Sequence, residues 1–281
     1  MFKKYCFFCM FPTFLQCAEY VVGEMMGQLG NQFFIIAATV ALALDHNAEP
    51  LFPHLATETT ENIPLNREEI FSHIHLNIKP IPVSLNYRYL EPYFHYAKIP
   101  YQSNMSINGY FQSEKYFLHH KKTIIDLFSP PKHILDYLNF KYRDIIQHPN
   151  TVAIHYRSYE REDPQHRFHA SCDLDYYIKA ISLFPEDSLF IVFSNDINWC
   201  KSNFKNISRP FIYIENEEHY HDIYFMSLCK HQIICNSSFS WWSAYLNLNV
   251  EKTVIAPSKW FNSSYINDTQ DLIPPEWIIM E

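Results

Sequence analysis

Glycine is scarce in this chain, with four residues in 281. Neither a G-x-G-x-x-G fingerprint nor a P-loop with its lysine occurs, so no glycine-based nucleotide motif is present. Each glycine position therefore carries more information, and Gly23, Gly27 and Gly30 fall close together. Paired cysteines are equally scarce. Of the seven, Cys6, Cys9 and Cys17 lie near the start, and Cys172, Cys200, Cys229 and Cys235 are far apart. That spacing suits neither a zinc site nor a disulfide framework, and buried free thiols are expected. Basic charge is short too: the net charge is −8 with no long basic run, which argues against nucleic acid as a partner. After the first residues there is no apolar run of the roughly 20 residues that a spanning helix needs. Residues 1–18 combine Lys3 and Lys4 with apolar Tyr5 to Leu15, a pattern expected of a signal peptide or a membrane-associated leader.

What is abundant is apolar and aromatic material, 48% and 17% of the chain, enough for a sizeable core. Tyr20 to Gly23 reads as a strand, followed by a glycine-bearing turn and an apolar helix from Phe33 to Leu44. Pro50 to Pro53 is a candidate second strand, and residues 54–100 read as irregular. Tyr87, Tyr89, Tyr93, Phe94 and Tyr96 either line a sugar groove or simply pack. Ile107 to Phe111 reads as a strand, and residues 112–128 and 132–147 as helices. A domain boundary is expected at His148-Pro149-Asn150, dividing the chain into 19–149 and 150–281. Beyond it, apolar strands at 151–155, 189–194, 211–214, 232–235 and 253–256 alternate with helices at 174–183, 197–204, 223–229 and 240–248. Such alternation predicts an α/β fold with a parallel sheet covered on both faces.

Ligands of such sheets sit beyond the carboxyl ends of the strands. Polar clusters fall there at His155 to Glu160, Ser194 to Asp196 and Asn236 to Ser240. Asn236, Ser237, Ser238 and Phe239 lead from a strand into a helix, a natural anion cradle. The turn through Gly30 and Asn31 is a second, weaker one. Arg157 suits a diphosphate, His155 a nucleotide hydrogen bond, and Asp196 either the N–H groups of a guanine or a helix cap. Asp173-Leu174-Asp175 is a D-x-D, read as a helix start rather than a metal site. His166 with His169, and His219 with His221, lack metal-ligand spacing.

Four stretches together resemble the α-1,2-fucosyltransferases of glycosyltransferase family 11. The family's GGLGNQ turn is matched by Gly27-Gln28-Leu29-Gly30-Asn31-Gln32, and its HxRRGDY in part by His155-Tyr156-Arg157. FSDDxxW is matched by Phe193 to Trp199, and NSSFSWWxAxL in full by Asn236 to Leu246. The resemblance implies a GT-B-like fold of two Rossmann-like domains facing a cleft, the second binding the nucleotide and the first the acceptor. It implies inverting transfer of L-fucose from GDP-fucose to the 2-hydroxyl of a galactose-containing glycan, without a metal. Arg157 would stabilise the departing GDP, while His155, Asp196, Asn236 and Ser237 to Phe239 would hold it, with Gly30 beside them. Asn31 would lie near fucose and the acceptor, and Glu160 or Asp163 is the positional choice for general base. The chain departs from the pattern at Gln28, Ser158 and Tyr159, and Arg161 or Arg167 is placed to compensate for the lost arginine. A GDP- or glycan-binding protein without turnover, and transfer to protein, are the alternatives. An intracellular or membrane-associated location is expected, with export if the leader is cleaved.

Overall fold

The computed structural model describes residues 18–160, 168–262 and 268–281. The leader expectation therefore lies outside the described residues. Two parallel sheets form the frame. The first is assembled from β1 (Tyr20–Gly23), α1 (Leu29–Asp45), β2 (Glu49–Leu51), α2 (His54–Thr57), α3 (Ile63–Glu69), β3 (Tyr87–Leu90) and β4 (Met105–Asn108), with strand order β2-β1-β4-β3. α4 (Lys121–Leu127), α5 (Lys132–Lys141) and α6 (Arg143–Ile146) follow. The second sheet takes β5 (Thr151–Tyr156), α7 (Leu174–Ser182), β6 (Leu189–Ser194), α8 (Ile197–Phe204), β7 (Phe211–Tyr213), α9 (His219–Leu228), β8 (His231–Ile233), α10 (Ser238–Tyr245), β9 (Val254–Pro257) and β10 (Ile278–Met280). Its order is β10-β9-β8-β5-β6-β7, with every pairing parallel. This is the expected α/β architecture of GT-B type, two sheets facing a cleft.

β5 is central in its sheet and buried along Thr151–His155, as an apolar strand covered on both faces must be. α1 is apolar almost all round, and it is buried because it lies between the two halves. Phe34 packs on Trp241 at 4.5 Å between ring centroids and on Trp242 at 5.0 Å, and Phe33 meets Trp242 at 5.3 Å. One apolar core thus runs from α1 into α10. Cys172, Cys200, Cys229 and Cys235 are buried and free, as expected.

Several expected bounds shift for local reasons. The strand expected over 107–111 ends at Asn108. At Gly109 a side chain would strike Glu91 at 2.3 Å, and Phe111 has a φ of 51°, so the chain turns there. The helix expected over 112–128 is broken into the 3-10 turns Glu114–Tyr116 and Leu118–His120 before α4, with the first capped by Ser113. Residues 54–100 are irregular only in part: they hold α2, α3, the 3-10 helix Phe71–Asn77 and β3, with irregular chain over 78–86 and 91–100.

Candidate active site

A cavity of about 480 Å³ opens between the sheets. Its wall is supplied by residues at or beyond the carboxyl ends of β1 to β9. The first-half sheet brings Gly30, Asn31 and Tyr110, and the second brings His155, Arg157 and Ser237 to Phe239.

The chemistry centres on two helix N-termini that abut. A Cβ on Gly30 would lie 2.5 Å from Phe239 N and from Ser238 C, so only glycine lets the first turn of α1 touch that of α10. Neither helix has a side-chain cap: Gln28 and Ser237 stand at the N-cap positions without bonding the free N–H groups. Neither first turn carries an acid. Two positive dipole ends and their unsatisfied donors therefore face one wall of the cavity. Arg157 borders it from the end of β5, its guanidinium 5.8 Å from the centre of the Tyr159 ring. The combination suits a polyanion such as a diphosphate.

His155 is buried against Phe239, with Nδ1 3.2 Å from Cys235 Sγ. Burial, and then the Arg157 charge, push its imidazole down to about 3, so it is neutral at physiological pH. Burial also raises the Cys235 thiol, which stays protonated. A thiol donating to Nδ1 leaves the ring hydrogen on Nε2, a neutral donor suited to a phosphate or ribose oxygen. Asn31 Oδ1 accepts from Gln112 Nε2 at 2.8 Å and from Ser238 Oγ at 2.9 Å. With that oxygen doubly used, Asn31 has only its amide hydrogens for a ligand. Asn236 plays a framing part. Its Nδ2 donates to Ala170 O at 2.7 Å and Trp260 O at 2.9 Å, fixing the two segments that flank it.

One end of the cavity is polar in a way the sequence reading missed. Gln32 donates to Gly27 O and Glu61 O, accepts from Asn66, and Asn66 Oδ1 lies 2.6 Å from His219 Nε2. This relay holds Glu61 and Asn62 at the lip, both at positive φ. Asp222 faces the same end. Its Oδ1 is sealed from solvent and has no hydrogen-bond partner among the described residues. Burial, with Glu217 and Glu218 adding to it, pushes its carboxyl up to about 8. The other end is aromatic, with Phe94, Tyr110, Phe168, Trp260 and Phe261 on the wall. Phe261 meets Phe94 edge-on at 5.1 Å and Phe168 at 4.9 Å. Of the aromatics expected for a sugar groove, Phe94 alone borders the cavity.

Other expected residues stand elsewhere. Asp196 takes its capping alternative, accepting Trp199 N at 3.0 Å at the start of α8, and does not line the cavity. Glu160 lies on an exposed turn outside the lining. Asp173 caps α7 by accepting Tyr176 N at 2.9 Å, as the helix-start reading of the D-x-D requires. His169 stacks on Tyr159 at 3.9 Å. Arg161, Asp163, His166 and Arg167 lie outside the described residues. Asp222 left one sequence signal, an acid directly before the apolar run Ile223–Met226.

Comparison with known proteins extends this picture. The sequence model of Glycosyl transferase family 11 matches residues 24–281. An alpha-1,2-colitosyltransferase of Escherichia coli is 35% identical over 181 residues, covering 62% of this chain and 61% of its own length. The O-antigen biosynthesis glycosyltransferase WbnK of Escherichia coli is 31% identical over 192 residues, covering 65% and 63%. The chain thus spans less than two thirds of the length of these curated relatives. Among solved structures, the NodZ α-1,6-fucosyltransferase of Bradyrhizobium, soaked with GDP-fucose, superposes with a TM-score of 0.51 at 11% identity. That match covers 82% of this chain and 92% of NodZ, a likeness of fold.

Proposed function

The chain belongs to glycosyltransferase family 11, and from that premise we propose that it moves L-fucose from GDP-fucose to the 2-hydroxyl of a galactoside, with inversion. The observation that carries the proposal is the convergence of two uncapped helix N-termini and Arg157 on one cavity wall. They would hold the diphosphate and neutralise the charge that develops as it leaves, which is where transition-state stabilisation counts. The fixed positive groups are this chain's own, so the proposed transfer runs without a metal. The test is mass-spectrometric transfer from GDP-fucose to lactose in EDTA, with linkage analysis. A 2-linked product supports the proposal. GDP binding with no product from any glycan or peptide acceptor overturns it in favour of a binding protein. Product on peptide alone moves the acceptor to protein. The colitosyl relative motivates one second reading, a colitosyl donor, and competition between the two sugar nucleotides separates them.

Asp222 is the proposed guanine contact, taking the part that Asp196 spends on its helix. A guanine offers N1–H and N2–H side by side, and an ionised carboxylate accepts both. In this burial Asp222 is protonated below about 8. Binding the nucleotide would then expel that proton. The Kd for GDP-fucose without acceptor is expected to fall up to about tenfold per pH unit as pH rises from 6 toward 8, and to level above it. His155, titrating near 3, contributes nothing in that range. Calorimetry in buffers of different ionisation enthalpy measures the released proton. Asp222→Asn should remove the slope and weaken binding; a pH-independent wild-type Kd would refute the assignment.

The aromatic end is the proposed acceptor subsite, since sugar C–H faces stack on such rings. Tyr110 is 40% exposed, so its ring is available to a ligand. Tyr110→Ala is expected to raise the acceptor KM by roughly 5–30-fold, the effect of about 1–2 kcal/mol of lost contact. Donor binding should not change. An unaltered acceptor KM would place the acceptor elsewhere.

A further inference from the structure

One cluster of metal-ligating side chains lies outside the cleft and serves none of the roles above. Asp45 is the last residue of α1, and His119 and His120 belong to the 3-10 turn Leu118–His120. His119 Nε2 is 3.0 Å from each Asp45 carboxylate oxygen, and His120 Nε2 is 2.8 Å from Oδ1. We propose that Asp45, His119 and His120 form a surface site for a divalent transition metal of the zinc class.

The donor set is two imidazoles and a carboxylate, which suits zinc, nickel or copper and disfavours magnesium and calcium. Consecutive residues of a 3-10 turn leave its axis about 120° apart. Here both rings nonetheless bring Nε2 to a single carboxylate, and one ligand atom from each of the three residues fits within 4.8 Å of the others. In tetrahedral zinc, with bonds of about 2.0–2.2 Å, neighbouring ligand atoms stand roughly 3.3 Å apart. The two imidazole nitrogens stand 3.0 and 2.8 Å from Asp45 Oδ1, so those two contacts would widen by a few tenths of an ångström around an ion, and the rings, within 4.8 Å of each other, would close on it. The ion would sit at the C-terminal end of α1, where the helix dipole favours positive charge. The three side chains are 27% to 49% exposed, leaving the remaining coordination positions to water.

The site is remote from the cleft. Asn31 and Asp45 stand fourteen residues apart on α1, about 21 Å along the helix. The metal would tie the far end of α1 to the 118–120 turn and take no part in the transfer chemistry.

The test uses the full chain without a histidine tag, stripped with EDTA and titrated calorimetrically with Zn²⁺. Saturable binding of one ion per chain at micromolar Zn²⁺ is expected, with no heat from Mg²⁺. At a hundredfold excess over Kd, Tm should rise by several degrees. Co²⁺ should give the visible d–d absorption of a site with nitrogen ligands. The His119→Gln/His120→Gln double variant should lose the Zn²⁺ isotherm, the Tm gain and the Co²⁺ bands, while GDP binding persists. If that variant fails to fold, Asp45→Asn carries the same test, with affinity expected to fall at least about tenfold. Absence of saturable binding, or equal binding by wild type and variant, would overturn the site. GDP binding is read separately, so failure here and failure of the fucosyltransferase proposal are distinguishable.

Discussion

Replacing Arg157 with alanine is expected to lower kcat/KM for fucosyl transfer by about 10³ while leaving Tm within a degree or two. Loss of a single well-placed donor to a developing oxyanion costs about 10² to 10³ in other enzymes. Arg157 stands at the upper end of that range for a reason visible in the cavity wall. Among the described residues lining it, no other lysine or arginine occurs. The position after Arg157, a second arginine in the family motif, is Ser158. Its backbone is committed to Asn195, the N–H donating to Oδ1 at 2.8 Å and the carbonyl accepting from Nδ2 at 2.9 Å. The helix N-termini remain in the variant, so GDP should still bind, about tenfold more weakly. The kcat term should carry most of the loss, because the charge being met appears in the transition state. Arg157→Lys should recover only part of the rate, since a point charge cannot grip two phosphate oxygens with a planar fork. Steady-state kinetics with calorimetric GDP titration separates the two effects. A variant with wild-type kcat/KM would remove Arg157 from the mechanism.

How much of this was legible in the sequence depends on how local each cause is. The second half was readable because strands such as Leu189–Ser194 and helices such as Ile197–Phe204 are long enough to show their periods. The strand–helix junctions were readable too. His155, Arg157 and Ser237 to Phe239 all border the cavity. β3 was missed because its one buried residue is Tyr89, so no alternating apolar pattern marks it. α2 is four residues long and shows no period at all. Asp196 shows the limit of motif reasoning. The same carboxylate can cap a helix or meet a ligand, and here a backbone N–H three residues on is close enough to take it. Asp222, Glu61 and Phe261 reach the cavity from separate loops and helices. Their convergence comes from packing between the halves, which no window of sequence contains. The tightest joint is likewise long-range: the sequence around Gly30 suggests a turn, but the residue lies inside α1 against a helix two hundred residues away.

That joint gives the second large expected effect. Gly30→Ala should lower Tm by roughly 5–10 °C, from an overpacking cost near the upper end of about 1–3 kcal/mol. The added methyl would lie 2.5 Å from Phe239 N, Ser238 C and Ser238 Oγ. Two of those atoms are backbone, so a rotamer change cannot relieve the contact, and α1 and α10 must separate. Alanine is otherwise the better helix former, which would stabilise α1 by up to about 1 kcal/mol were the space open. The sign of the measured change therefore decides between packing and propensity. Separation would also stretch the Ser238 to Asn31 bond, now 2.9 Å, and pull the two N-termini apart. GDP affinity should fall at least about tenfold, because both positive ends act on one diphosphate only while they abut. Gly27→Ala is the contrasting case. Its φ of 67° makes alanine strained, yet the near atoms all belong to the Asn31 side chain and none to backbone. A thermal melt and a GDP titration of both variants would measure this. Larger losses at Gly30 than at Gly27 are expected in both. If Gly30→Ala instead melted at or above the wild-type temperature with unchanged GDP affinity, the abutting helix ends could not be what holds the nucleotide.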